Sequence, residues 1–355
     1  MVKLFTAGGI IIDNVVAADG TVHQDVMGGN AVYSAAGARL WLDDVGIVAV
    51  VPRNYPQHWL DELGRSGIDT GGITVVDQSV ECSEWFFYRN DGSRADHLYA
   101  VPGTYEAFGL TGSELTATEA AAFEAHLRSI SVGGSMVGND FGAFRRDHPV
   151  RAIHVPSQFR SAQGVHLAPN APAAQQAMAR DLRAQGRQIS LDPGSNAAEI
   201  AAGPMSELLV LLAAVLPSEK ELAAMVPDAS REEALARLVQ VGAPVALVKL
   251  AGAGSMFATS HSANCSCVPA LPVQFRDPTG AGDAFCGGFL AGLVATNDPL
   301  CAALCGTVSA SFAVESFGPF YLLAASRSDA ASRFRALALQ CKLPRMEERL
   351  QAILV

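Results

Sequence analysis

The chain has 355 residues, half of them hydrophobic and 17% charged, which is material for a large buried core. A net charge of -10, without a basic run, excludes a nucleic-acid binder that works through a positive field. No apolar stretch reaches membrane length without Gly, Pro or charge, and the seven cysteines, odd in number and mostly in apolar surroundings, read as reduced thiols of a cytoplasmic protein.

Residues 4–12 read as a buried first strand; Asp13 interrupts the apolar run and no small-residue cleavage site follows closely, so a signal peptide is not expected. The stretch NVVAADGTVHQDVM carries Asp19-Gly20 between two strand-like runs, a hairpin signal. Residues 29–42 read as a helix rich in small residues, 45–51 as a buried strand and 56–66 as a helix. A second hairpin is expected around Asn90-Asp91-Gly92. In 104–147, TATEAAAFEAHLRSI reads as helix and the Gly-rich segment after it as loop. Beyond 150 the pattern alternates. Strands are expected at 151–155, 164–168, 187–192, 212–217 and 245–250, and helices at 172–185, 219–226 and 230–241. A further strand is expected at 266–276, then helices at 283–296, 299–315 and 327–342. Such alternation argues an α/β fold with a doubly wound, mostly parallel sheet flanked by helices, to which the two hairpins, over about 14–27 and 80–101, could add a small extra sheet. The whole chain reads as one domain of this kind.

The most informative stretch is Asp277-Pro278-Thr279-Gly280-Ala281-Gly282-Asp283, followed by the apolar run AFCGGFLAGLVA. A strand ends, a tight loop of small residues follows and a helix begins. The glycines let successive N–H groups point inward, and the helix N-terminus adds its own unpaired N–H groups and positive dipole end. Together these make an anion site without a lysine. Asp283 stands beside it, where a carboxylate can take a proton from an attacking hydroxyl or serve as an ordinary helix cap.

At ordinary residue frequencies six fixed positions of this string would recur in such a chain with probability on the order of 10⁻⁴. The string closely resembles the C-terminal signature of the ribokinase-like, or PfkB, family of carbohydrate and nucleoside kinases. The resemblance implies an ATP-dependent kinase of the ribokinase-like fold that phosphorylates a hydroxyl of a small sugar-like molecule. It makes Asp283 the catalytic base and the backbone of Gly280, Ala281 and Gly282 the anion hole. It also extends to the N-terminus: Asp13 closes a strand, and Gly28-Gly29 opens a helix beginning with Asn30, positions that in the family hold substrate hydroxyls. On the nucleotide side it places Thr279, Gly254, Lys249 and Ser218 near ATP and Glu221 near Mg2+, and it implies a monovalent cation near the anion loop. The two hairpins, about 14–27 and 80–101, match the family's β-strand lid, which covers the substrate, and the exposed edge of that lid could pair between chains, which would make a homodimer.

The chain departs from the family pattern at three places. Ser218 stands where an Asn is usual in Asn-x-x-Glu, Ala251 where the first Gly of Gly-x-x-Gly is usual, and Tyr33 where many members carry an Asn at the substrate. The last implies an acceptor other than ribose, with a nucleoside as an alternative; the first two keep open a catalytically silent binder on the same fold. A dinucleotide site at Gly252-Ala253-Gly254 lacks its third glycine, since Phe257 holds that place. The pair Cys265 and Cys267 lacks partners at metal-site spacing. No G-x-S-x-G, H-E-x-x-H or Walker A motif is present.

Overall fold

Two glycines decide the first topological step. The run expected as one strand breaks at Gly8-Gly9 into β1 (Leu4–Ala7) and β2 (Ile11–Val16), and the two pieces enter different sheets. The computed structural model describes residues 2–17, 21–88, 94–98, 141–343 and 345–354. β2 pairs antiparallel with β3 (Val22–Gly28), and the helix Asn30–Arg39 follows. Next come β4 (Val45–Pro52), the helix Gln57–Arg65 and β5 (Ile68–Val76). No strand was expected at β5, because Gly71-Gly72 interrupts its apolar pattern.

The chain then returns to the small sheet with β6 (Ser83–Tyr88), parallel to β2, and β7 (Arg94–Leu98), antiparallel to β6. The lid is thus a four-stranded sheet of order β3-β2-β6-β7. Both expected hairpins exist as paired strands; their turn residues lie outside the described residues, as does the helix expected before residue 140.

The remaining strands complete a nine-stranded sheet. They are β8 (Gly164–Leu167), β9 (Gln188–Leu191), β10 (Ala214–Val215), β11 (Val245–Lys249), β12 (Ser255–Thr259) and β13 (Ser262–Val268). The order is β13-β12-β11-β10-β9-β8-β1-β4-β5, parallel from β11 to β5, with β12 and β13 as an antiparallel edge. Every residue of β1 and β4 is buried, as expected of strands covered on both faces by helices.

Two expectations fail here. Residues 151–155 form a tight turn at Ala152–His154 instead of a strand, because the His154 imidazole accepts the Arg151 N–H at 3.0 Å and Pro156 follows. The strand expected at 266–276 is instead the end of β13, and Pro269 and Pro272, which have no N–H to give a ladder, leave 269–276 irregular.

Small residues bring the two ends of the chain together. The helix Asn30–Arg39 lies against the helix Ala281–Thr296 so closely that a Cβ on Gly287 would fall 1.8 Å from the Ser34 carbonyl oxygen. The second of these helices is apolar all round and packs also on Pro299–Ala313, whose first turn is capped by the Asp298 carboxylate. No helix among the described residues is long and apolar enough to cross a membrane.

Candidate active site

The loop before the helix Ala281–Thr296 is held from within. The Asp277 carboxylate, 1% exposed, accepts the Thr279 N–H at 2.9 Å and the Thr279 hydroxyl at 2.6 Å. Gly280 then turns through φ +72°, a conformation glycine adopts freely, and occupies the cap position with no side chain capping the helix. Asp283 is therefore not the cap. It lies half-buried in the first turn, where helices leave N–H groups open. Of the three expected hole residues, Ala281 turns its N–H onto the Pro278 carbonyl at 3.2 Å, whereas Gly282 is exposed.

Asp13 approaches the same place from the lid. It is 1% exposed, and its carboxylate rests directly on Gly28, where a Cβ would fall 2.0 Å from it. Gly28 and Gly29 are buried at the end of β3. Asn30 spends its side chain on the backbone, accepting the Gly9 N–H at 2.7 Å and donating to the Pro169 carbonyl at 3.1 Å. One turn on, Tyr33 lays its ring on Gly280, 2.2 Å from where a Cβ would stand. Its hydroxyl is buried and has no hydrogen-bond partner among the described residues. Burial first, then the charges of Asp13, Asp277 and Asp283, pushes that phenol well above its ordinary pKa, so it stays protonated. Tyr33 thus stands among the residues expected at the acceptor and those expected at the phosphoryl group.

Lys249 ends β11 with its ammonium 3.6 Å from the point where a Cβ on Gly282 would sit. It pairs with Asp192, which is buried just beyond β9, and both lie 3.6 Å from the Cys286 sulfur. Burial alone would lower the Lys249 pKa, but Asp192, Cys286, Glu221 and Asp283 hold it well above the ordinary value. Ser218 and Glu221 cap each other across the start of the helix Glu219–Met225: the Glu221 carboxylate accepts the Ser218 N–H at 2.6 Å and the Ser218 oxygen accepts the Glu221 N–H at 3.4 Å. Burial and then Asp192 raise the Glu221 pKa. Gly254 follows Lys249 round the turn Ala251–Ala253, its carbonyl 2.8 Å from the Leu250 N–H. Asp192 and Cys286 were not expected from the sequence. The signal for Asp192 was an acidic residue at the C-terminal end of a parallel strand, where open α/β sheets place ligands.

The model for the pfkB family of carbohydrate kinases matches residues 135–323, more than half of the chain and the segment that includes the loop and Asp283. The chain belongs to that family. This pfkB-family kinase is 24% identical over 294 residues to the cytidine kinase of Thermococcus kodakarensis, the match covering 82% of this chain and 88% of that one. In fold the kinase is similar to a protein described as a Ribokinase II of E. coli, solved with ATP and Mg2+, with a TM-score of 0.67, 18% identity and coverage of 95% of this chain and 100% of that one. It is likewise similar to the Methanocaldococcus jannaschii nucleoside kinase, with a TM-score of 0.64, 17% identity and coverage of 94% and 98%.

Proposed function

We propose that this kinase transfers the γ-phosphoryl group of ATP to a hydroxyl of a small sugar-like molecule in the cytoplasm, with Asp283 as the base. The observation that carries the reading is Asp283 in the first turn of a helix that no side chain caps, near enough to the buried Tyr33 phenol that its charge and that of Asp13 both act on it. The acceptor's hydroxyls lie against the Asp13 carboxylate and the backbone at Gly28 and Gly29, with Asn30 fixing that wall. Its reacting oxygen attacks the γ-phosphorus, Asp283 takes the hydroxyl proton, and the bond from phosphorus to the ADP oxygen breaks. The N–H groups at the start of the helix hold the charge of the moving group, chiefly that of Gly282, and Lys249 adds a fixed cation beside them. Thr279, Ser218 and Gly254 frame the nucleotide side.

A donor of ATP with Mg2+ is supported by the Ribokinase II neighbour solved with both. Burial, then the charge of Asp192, raises the Glu221 pKa, a cost that a cation beside Glu221 would offset. Among the described residues no group of three metal-ligating side chains is preformed, which fits a magnesium held mainly by phosphates and one or two carboxylates. Magnesium so bound would draw charge off the γ-phosphoryl group.

A nucleoside acceptor is the second reading, favoured by the cytidine kinase relative. Both are tested by ADP release from ATP and magnesium over a panel of sugars, sugar acids, polyols and nucleosides, with cytidine included. Asp283→Asn keeps the side-chain shape and removes the base, so turnover should fall by roughly 10²–10⁴ while the circular dichroism spectrum stays that of the parent. A variant that turns over at nearly the parent rate would overturn the base assignment.

A further inference from the structure

We propose that Tyr88 is a positioning residue for phosphoryl transfer: from the lid it fixes the loop that carries Asp283, through a relay from Tyr88 to Thr279 to Asp277. Tyr88 is the last residue of β6 and is 5% exposed. Its hydroxyl oxygen lies 2.9 Å from the Thr279 hydroxyl oxygen, 191 positions along the chain. The direction of that bond follows from the next one. Thr279 Oγ1 stands 2.6 Å from an oxygen of the Asp277 carboxylate, which can only accept, so the single Thr279 hydroxyl hydrogen is committed there. Tyr88 must be the donor. A donor that polarises a second donor aimed at a charge strengthens both bonds, and all three groups are shielded from water.

The same Asp277 carboxylate holds the Thr279 N–H and so shapes the turn into Gly280. The start of the loop is fixed by the Arg276 and Asp277 N–H groups, at 2.8 and 3.2 Å from the Val314 carbonyl. Three residues beyond Val314, Phe317 stacks on His23 of β3, with ring centroids 3.4 Å apart. The lid therefore meets the loop and its anchor at two points. The lid sheet also carries Asp13, which is aligned with Glu84 of β6 in the parallel pairing. On the reading of Asp13 given above, an acceptor held there and the loop that steadies the moving phosphoryl group are joined through one sheet. The anion loop is then fully set only while the lid is down, when water is excluded, and the reaction goes to the acceptor instead of to water.

Tyr88→Phe removes one oxygen from a packed ring. In ligand-free protein, amide hydrogen exchange should quicken both in residues 83–88 and in the loop 277–283. With ATP, magnesium and cytidine, transfer should slow roughly three- to tenfold, the worth of one hydrogen bond. The ratio of ADP formed to cytidine phosphorylated should rise above that of the parent, and a lowered fraction of active enzyme cannot change that ratio. Thr279→Val should cause the same defect, and the double variant should add little to it. Exchange in 277–283 identical to the parent, or an unchanged product ratio, would overturn the relay. If the parent leaves cytidine untouched, the nucleoside reading fails, and the exchange comparison alone decides the relay.

Discussion

At position 251 the backbone turns through φ +48°, a left-handed conformation in which an L side chain crowds the following carbonyl at a cost of about 1–2 kcal/mol. Ala251 occupies that position at the end of β11, with its side chain exposed, so its methyl group gains little from burial. The pattern the chain resembles would put glycine here, and the backbone angle is a physical reason for that choice. Glycine would remove the crowding but bring about 0.5–1 kcal/mol of extra chain entropy to the unfolded state. The strain is the larger effect, so Ala251→Gly should stabilise the protein by roughly 0.5–1 kcal/mol; an unchanged or lower midpoint of denaturant unfolding would refute this. Other single residues were legible to different degrees. Asp283 could be marked from the sequence because it lies at the start of a helix after a recognisable loop; Asp13 could be marked too, although it does not close its strand as expected but sits inside β2, which runs on to Val16. Tyr88 could not, because its partner Thr279 lies 191 positions away and only folding brings them near; Asp192 had its place at a strand end as a signal, but its pairing with Lys249, 57 positions on, was not legible.

At the scale of elements, the helix Ala281–Thr296 owes its place to the absence of side chains on one face. A Cβ on Gly287 would sit 1.8 Å from the Ser34 carbonyl oxygen, a contact with backbone that no rotamer change can relieve. Gly287→Ala should therefore force the two helices apart. Overpacking of this kind typically costs about 1–3 kcal/mol. The same shift would draw Tyr33 away from Gly280, so turnover should fall along with the melting temperature. Gly252→Ala is the control, since nothing lies within 4 Å of its added methyl group, and it should melt within about a degree of the parent. Equal melting temperatures for the two variants would show that the helix contact tolerates a Cβ. The small-residue composition of both helices was visible in the sequence, but which glycine faces which backbone was not. Strand expectations failed where a local competitor was present: the His154 imidazole at 151–155, the prolines at 269–276, and Gly8-Gly9 within the first run.

For the whole molecule, the site depends on both ends of the chain. The lid and the helix Asn30–Arg39 bring Asp13, Tyr33 and Tyr88; the C-terminal half brings Lys249, the anion loop and Asp283. The nine-stranded sheet joins them, with β1 beside β8, and its centre holds a titratable group that should make global stability depend on pH. His166, in β8, is fully buried, with one ring nitrogen 2.9 Å from the Ser190 hydroxyl and Nε2 without a partner among the described residues. Burial, opposed in part by Asp192 and helped by Lys249, lowers its pKa from 6.5 to about 4. Between those values the unfolded chain binds a proton that the folded chain refuses, so acid favours unfolding. The contribution is complete above about pH 6.5 and is lost progressively as pH falls toward about 4, a change on the order of 3 kcal/mol. Glu221, whose pKa is raised, slopes the other way, so the parent profile alone is a sum of opposed trends. Comparison with His166→Leu isolates the histidine: whatever its absolute stability, the variant should lose less on acidification from pH 7 to pH 4.5 than the parent does. Denaturant unfolding curves at both pH values measure this directly, and parallel losses in the two proteins would mean that His166 is protonated in the fold as readily as outside it.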